Sequence, residues 1–283
     1  MSTTTTIDAL MRDAIDYAGV FPPAQLSVAD ALAEYTRVRE GPHGWVLGAF
    51  VVGSDRLGDV RSTTIPLSVV MRDAAPETLA NVSRAGQRLT IAALEYPPLS
   101  AGDVPAVAAA AASPSTRLFF EVAPAQDPEA ALDAIAAAGA CTKIRTGGVT
   151  TSAFPDATAI ARFFRACAAR RLACKATAGL HHACGGNYAL TYAHGSATWR
   201  MYGFLNVLGA AALVNIGAPE NDAVLLLTEP APDAITISPN ALSWRSYKVG
   251  VPDLLAVRRT LFLSFGSCSA QEPLDDLVRM HLL

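Results

Sequence analysis

Two short segments, Cys141-Thr-Lys-Ile-Arg-Thr-Gly-Gly148 and Ala173-Cys-Lys-Ala-Thr-Ala-Gly179, decide how this chain is expected to fold. Each reads as a buried strand with a lysine near its middle, Lys143 in the first and Lys175 in the second. Residues 156–171 between them have the period of an amphipathic helix. Because a strand–helix–strand unit lays its two strands side by side, we expect the two lysines to lie close together. Such closeness would lower at least one ammonium pKa and make a nucleophilic amine available.

The same alternation of strands and helices continues on both sides of this unit. Six strands are expected, at residues 45–52, 65–71, 89–96, 118–122, 142–146 and 173–178. Such alternation is typical of a mainly parallel sheet covered by helices. The chain has 283 residues, close to the roughly 250 of a (β/α)8 TIM-like barrel. We therefore predict the α/β class and a single domain over 1–283 with its barrel in 45–283; an open doubly wound sheet is the alternative.

The two ends of the predicted domain are less regular. Residues 1–44 are expected to form a helical N-terminal extension, with helices over 7–17 and 28–39. A helix is expected at 204–214 and a final helix at 251–265. The last two barrel strands are expected between them, at 224–227 and 235–237.

Charged residues recur on one face of the predicted strands. Because side chains alternate with period two along a strand, the inner face is expected to carry Glu95, Glu121, Lys143, Arg145, Lys175 and Thr177. An unpaired charge in a barrel interior costs several kcal/mol, so these groups must pair with one another. Active sites of this fold lie at the carboxyl ends of the strands, which favours a catalytic layer. The alternative is a purely structural ion-pair network.

A histidine-rich loop follows the sixth predicted strand. The segment Gly179-Leu-His-His-Ala-Cys-Gly-Gly186 contains His181 and His182, and His194 follows shortly after it. These histidines are candidate acid/base groups. As an alternative, all three are candidate ligands of a divalent transition metal, together with Glu121.

Composition and charge exclude several classes of function. The net charge is -3 and no long run of Lys or Arg occurs, so nucleic acid is not expected as a partner. The absence of a leader pattern and of an apolar run of roughly 18 residues predicts a cytoplasmic protein without membrane contact. No complete dinucleotide or P-loop pattern is present, so no cofactor is expected. With 51% apolar and 17% charged residues, the composition favours a small-molecule substrate and is compatible with a homo-oligomer.

The segment Lys175-Ala-Thr-Ala-Gly179 stands one strand–helix unit after Lys143. This arrangement resembles the deoxyribose-phosphate aldolase family, class I aldolases of the (β/α)8 type, in which a Lys-Thr-Ser-Thr-Gly-like strand end carries the Schiff-base lysine. The resemblance implies the Schiff-base role for Lys175. The family's second lysine, on the following strand near a Gly-Gly phosphate site, has no counterpart in 180–237, where the histidine-rich loop stands instead. We hypothesise that Lys143 replaces that second lysine in lowering the pKa of Lys175.

The sequence thus predicts an aldolase-like lyase that acts on a small carbonyl or carboxylate compound through a Lys175 imine. The expected catalytic residues are Lys175, Lys143, Glu121, Glu95, His181 and His182, and the expected substrate-binding residues are Arg145, Thr177, His194 and Asn206. A metal-dependent hydrolase or isomerase built on the histidines is the first alternative. A non-catalytic barrel that binds a small molecule is the second.

Overall fold

The computed structural model describes residues 4–61, 63–123 and 128–283. Within these ranges the strands, in chain order, are β1 (Ile15–Tyr17), β2 (Leu47–Gly53), β3 (Thr63–Val70), β4 (Leu89–Tyr96), β5 (Arg117–Val122), β6 (Cys141–Arg145), β7 (Cys174–Thr177), β8 (Gly186–Ala189), β9 (Thr198–Met201), β10 (Ile235–Ser238), β11 (Ala241–Trp244), β12 (Tyr247–Gly250) and β13 (Phe262–Ser267). The α-helices are α1 (Thr6–Met11), α2 (Val28–Arg39), α3 (Pro76–Ala85), α4 (Val104–Ala111), α5 (Glu129–Ala137), α6 (Ala157–Ala169), α7 (Phe204–Asn215), α8 (Glu220–Leu227), α9 (Val251–Thr260) and α10 (Gln271–Arg279).

Eight parallel strands form a closed barrel. Strands β1 to β7 follow one another in chain order around it, and β13 closes the ring between β7 and β1. The core lies mainly between this barrel and the helices around it, where residues such as Phe50, Phe120 and Ile144 are completely buried. The predicted (β/α)8 barrel is confirmed, and its six central strands lie at the predicted places to within a few residues.

Helix α6 connects the two strands that carry the lysines. It begins after Asp156, whose carboxylate accepts a hydrogen bond from the N–H group of Ala159 at 2.7 Å. Its apolar stripe, which includes Phe164, is buried against the barrel. The parallel register of β6 and β7 places Lys143 directly opposite Lys175. The predicted closeness of the two strands is therefore confirmed.

The strands that close the barrel differ from the prediction. The expected helix over 7–17 is the short helix α1 followed by β1, which pairs with β2 on one side and β13 on the other. The expected strands at 224–227 and 235–237 do not belong to the barrel: the first is the end of α8, and the second lies in the antiparallel sheet β10–β11–β12. The expected final helix over 251–265 ends at Thr260, and its last residues belong to β13.

These errors share one physical cause, because a short apolar run has the same composition in a buried helix and in a buried strand. The run at 224–227 is helical since α8 packs between α6 and α7, and tertiary packing decides its conformation. Leu254, Val257, Leu261 and Phe265 keep a helical spacing across the boundary between α9 and β13, so periodicity alone does not separate the two elements.

Residues 180–261 leave the barrel between β7 and β13. They form the hairpin β8–β9, the helices α7 to α9 and the sheet β10–β11–β12. Helix α7 is buried from Phe204 to Val214 because the neighbouring helices α6, α8 and α9 cover it. In the described part of the chain, no helix has both the length and the hydropathy needed to cross a membrane.

Candidate active site

A layer of charged side chains fills the barrel interior near the carboxyl ends of the strands. The register places Glu121 on β5, Lys143 on β6 and Lys175 on β7 at the same level. Glu95 on β4 reaches into this layer, opposite Phe119 of β5. The structure therefore brings together the four inner-face residues that carry the predicted catalytic charges.

Lys175 is the most enclosed of these groups, with a side chain that is 1% exposed. Its Nζ atom donates to Asp16 Oδ2 at 2.5 Å and to Glu95 Oε1 at 2.8 Å. The ring of Phe119 lies 5.2 Å from the same nitrogen, measured to the ring centroid. Lys175 thus bridges β1 and β4 across the barrel through two carboxylates.

The expectation that a neighbouring lysine lowers the pKa of Lys175 is wrong. Burial by itself lowers the pKa of Lys175, but the charges of Asp16 and Glu95 and their hydrogen bonds outweigh burial and raise it. Lys175 is consequently a charged ammonium group at neutral pH. Asp16 is not among the residues that side-chain alternation places in the barrel, because the sequence predicts a helix over 7–17 where the structure has β1.

Glu95 is the shared anion at the centre of the network. Its Oε1 atom accepts from Lys175 and from Ser68 Oγ, the latter at 2.6 Å, and its Oε2 atom accepts from Lys143 Nζ at 3.3 Å. Burial by itself raises the pKa of Glu95, but the ammonium groups of Lys175 and Lys143 and the donated hydrogen bonds bring it down to about 2. Glu95 therefore stays ionised over the whole range in which enzymes work.

Lys143 has longer and more open contacts than Lys175. Its Nζ atom lies 3.3 Å from Glu95 Oε2 and 3.2 Å from Glu121 Oε2, and its side chain is 5% exposed. The Glu121 side chain is 16% exposed and borders the cavity described below. Lys143 thus stands between an enclosed carboxylate and one that solvent and small molecules can reach.

Asp16 is positioned by groups on both neighbouring strands. Its Oδ2 atom accepts from Ser264 Oγ on β13 at 2.7 Å, and its Oδ1 atom accepts from the N–H group of Ala49 on β2 at 3.0 Å. The adjacent Gly48 leaves the space for this carboxylate, since a Cβ atom there would lie 2.7 Å from Asp16 Oδ1. The strands that close the barrel therefore also hold the anion that pairs with Lys175.

A cavity of about 250 Å³ opens above the charged layer. Its floor contains Glu95, Glu121, Lys143 and Lys175. Arg145 and Thr177 line it two residues further along β6 and β7, nearer the carboxyl ends of these strands. Its remaining wall is mainly apolar and includes Ala18, Phe21, Pro22, Val51, Val70 and Val149. The cavity therefore suits a small molecule that combines a polar reacting group with an aliphatic part.

The carboxyl ends of β6 and β7 approach each other closely at the edge of this cavity. A Cβ atom on Gly147 would lie 2.9 Å from the Cα atom of Gly179. Gly179 also has a φ of +77°, in the left-handed region that favours glycine. The turn at this position directs the chain to His181, which lines the cavity.

The three histidines of the predicted loop lie in three different environments. His181 borders the cavity, and its Nδ1 atom is 3.4 Å from Ser267 Oγ. His182 Nδ1 instead lies 3.2 Å from Asp276 Oδ2, and its ring stacks on Tyr188 with 3.6 Å between the ring centroids. His194 is exposed between β8 and β9. His194 therefore does not line the cavity, because the hairpin holds it in solvent.

This separation also bears on the metal alternative. Adjacent residues such as His181 and His182 project in different directions from an irregular loop, and Glu121 contacts Lys143 rather than either imidazole. Among residues 4–61, 63–123 and 128–283, no group of three His, Cys, Asp or Glu side chains is arranged to hold a metal ion. The predicted ligand set is not assembled in the described structure.

His181 is a neutral imidazole at physiological pH. Burial, followed by the electrostatic effect of the adjacent His182, lowers the pKa of His181 to about 4. Burial also raises the pKa of the neighbouring Cys268 thiol to about 11, so that no thiolate–imidazolium pair forms there. His181 is thus available as a neutral hydrogen-bonding group at the cavity wall.

Asn206, which the sequence predicts to bind the substrate, does not line the cavity. Its Oδ1 atom accepts from the N–H group of Gly185, and its Nδ2 atom donates to the carbonyl oxygen of Leu226, both at 2.9 Å. Both functional groups of this buried amide are therefore used in joining α7 to the preceding loop and to α8.

Comparisons with protein-family models, with curated proteins and with solved structures find no match to this chain.

Proposed function

We propose that the protein is an aldolase-like lyase that forms an imine between Lys143 and a small carbonyl compound. One observation carries the proposal: the Lys143 amine lies at the cavity floor between two carboxylates, one enclosed and one open to the cavity. Such a pair of neighbours supplies what a nucleophilic amine needs, a group that removes its proton and a fixed charge that orients it.

Lys175 is less suited to the imine role that the family resemblance implies for it. It is held by two carboxylates at 2.5 and 2.8 Å, and its pKa is raised. A group in that state is a poor nucleophile and a good fixed cation. We therefore assign Lys175 to positioning Glu95, which in turn positions Lys143.

The reaction begins with transfer of a proton from the Lys143 ammonium group to Glu121. The neutral amine adds to the carbonyl carbon, and an internal proton transfer gives a carbinolamine. Glu121 returns its proton to the carbinolamine hydroxyl, which leaves as water while the nitrogen lone pair forms the C=N bond. The net change is one ammonium ion and one carbonyl group to one iminium ion and one water molecule.

The iminium ion then serves as the electron sink for bond cleavage. Glu121, ionised again, removes the proton of a hydroxyl group on the β-carbon, and the electron pair of the α–β carbon–carbon bond moves into the iminium group. An aldehyde leaves, and the remaining enamine is protonated and hydrolysed to release the second product. Glu95 stays ionised throughout because its pKa is about 2.

Borohydride reduction of the imine tests the proposal, because few amine side chains in this chain can form a competing adduct. The sequence contains three lysines, Lys143, Lys175 and Lys248, and Lys248 is exposed on β12. We expect a panel of small aldehydes and ketones to yield a reduced adduct of one molecule per chain by intact mass. Lys143→Met should abolish the adduct, whereas the matched control Lys248→Met should retain it.

Lys175→Arg separates the two assignments, because it keeps the positive charge and removes the amine. Retention of the adduct in Lys175→Arg is expected. Loss of the adduct in a folded Lys175→Arg protein, together with its retention in Lys143→Met, would contradict the proposal and return the imine role to Lys175.

A second candidate is a barrel that binds a small molecule without turning it over. It is favoured by the complete pairing of the deep network, in which Asp16, Glu95, Glu121, Lys143 and Lys175 all have partners of opposite charge. Under this alternative no carbonyl compound forms a reducible adduct, although small ligands still bind in the cavity.

A further inference from the structure

Arg145 is a charged cavity residue that takes no part in the imine chemistry. It ends β6, two residues beyond Lys143, and it lines the cavity with an exposed side chain. Among the residues that the structure describes, none forms a hydrogen bond or an ion pair with its guanidinium group. This differs from the five charged groups below it, all of which are paired.

The cavity thus has two levels of positive charge with different surroundings. At the lower level, Lys143 is 5% exposed and shares two carboxylates. At the upper level, Arg145 faces the open space without a counter-charge. Two residues along a strand are separated by roughly 6–7 Å, so a ligand that spans both levels needs several bonds between its two polar ends.

The wall around these two levels is apolar. Val51 and Val70 come from β2 and β3, and Val149 and Phe21 come from the loops at the cavity mouth. A hydrocarbon chain gains free energy by lying against such a surface, whereas a chain of hydroxyl groups would leave most of them without partners there.

We infer that the ligand of this cavity is an oxo acid in which an aliphatic chain separates one carboxylate from the carbonyl group. The presence of the carbonyl group in the ligand rests on the proposed function, which places that group at Lys143. The presence of the carboxylate is inferred from Arg145, whose planar guanidinium matches a carboxylate in a bidentate pair. A single unpaired cation balances one carboxylate and leaves the second charge of a phosphate dianion without a partner.

The test compares borohydride trapping of 5-oxopentanoate, pentanal and pyruvate. These probes differ in whether a carboxylate is present and in its distance from the carbonyl group. The wild-type protein should trap 5-oxopentanoate at lower concentration than either of the others. Arg145→Gln should require about 10- to 100-fold more 5-oxopentanoate, the loss expected for a charge-assisted pair, while its trapping of pentanal stays unchanged. Arg259→Gln, which changes an exposed arginine of α9, is the matched control.

Calorimetric binding of pentanoate tests the carboxylate site without any imine chemistry. Weaker binding in Arg145→Gln and unchanged binding in Arg259→Gln support the carboxylate site at Arg145. If no carbonyl compound is trapped in that case, the proposed function fails together with the carbonyl part of the inference, and the carboxylate site is retained. Equal binding of pentanoate by the wild-type protein and Arg145→Gln overturns the inference, whatever the trapping results. Equal trapping of 5-oxopentanoate and pentanal by the wild-type protein also overturns it.

Discussion

The substitution Asp16→Asn isolates the ion pair that ties the closing strand of the barrel to its interior. Asparagine has the shape of aspartate but lacks its charge, so the packing around residue 16 is kept. The Lys175 side chain is 1% exposed, and it loses a carboxylate that lies 2.5 Å from its Nζ atom. In addition, the amide has only one acceptor oxygen for three donors, which are Lys175, Ser264 Oγ and the N–H group of Ala49.

The expected loss of stability follows from burial and from the partner that remains. Removing one partner of a buried ion pair costs about 3–5 kcal/mol. Because Glu95 still holds Lys175 at 2.8 Å, we expect the lower end of this range, about 3 kcal/mol. At roughly 2–4 °C for each kcal/mol, the Tm should fall by roughly 6–12 °C.

Urea unfolding at pH 7, followed by circular dichroism and combined with calorimetry, measures this loss. Asp59→Asn is the matched control, because the pair of Asp59 with Arg56 is exposed on both sides and should contribute about 0–1 kcal/mol. An Asp16→Asn protein that is as stable as Asp59→Asn would show that the ion pair between Asp16 and Lys175 does not stabilise the closed barrel.

Three further predictions concern single residues of the site and its surroundings. The pKa of His181 is about 4 in the folded protein, below its ordinary 6.5, so the stability it contributes is present above pH 6.5 and lost as the pH falls to 4. The free energy of unfolding of the wild-type protein should therefore fall by about 3 kcal/mol between pH 6.5 and pH 4 because of this one group, and His181→Asn should abolish that part of the fall. Glu121→Gln should slow imine formation roughly 100- to 10,000-fold in single-turnover trapping, with little change in Tm because Glu95 still pairs with Lys143. Asn206→Ala should lower the free energy of unfolding by about 2–4 kcal/mol, since it leaves two buried backbone groups unpaired, and should leave the trapping yield per folded chain unchanged.

The central part of the fold is predictable from sequence because its information is local. Residues 89–96 carry a mainly apolar strand pattern, and in residues 141–145 the charged Lys143 and Arg145 alternate with Thr142 and Ile144. Each strand is followed or preceded by a helix with its own period. Side-chain alternation then places Glu95 and Lys143 on the inner face without any knowledge of the partner strands. Local patterns of this kind are enough to predict that Glu95 and Lys143 face the barrel interior.

The closing strands carry no such local signal. Strand β1 has three residues, and its conformation depends on pairing with β13 near the other end of the chain. Asp16 and Ser264, which are 248 positions apart, form a hydrogen bond that no periodicity predicts. The one signal available was a single acidic residue between Ile15 and Tyr17, two residues that favour strands.

The error at Lys175 follows directly from the missed Asp16. With two lysines and two glutamates known, repulsion between neighbouring ammonium groups is the obvious expectation. A third carboxylate changes the sign of the effect, and the pKa of Lys175 rises. The histidines illustrate the same limit, since adjacency in sequence says nothing about whether His181 and His182 face the same space.

Peptide mapping of the borohydride-reduced adduct identifies the lysine that forms the imine. The protein is incubated with 5-oxopentanoate or pentanal, reduced, digested, and sequenced by mass spectrometry. Because the chain has three lysines, the modified residue is identified without ambiguity. We expect the added mass on Lys143, with Lys175 unmodified. An adduct on Lys175, or no adduct on either buried lysine, would contradict the imine role of Lys143.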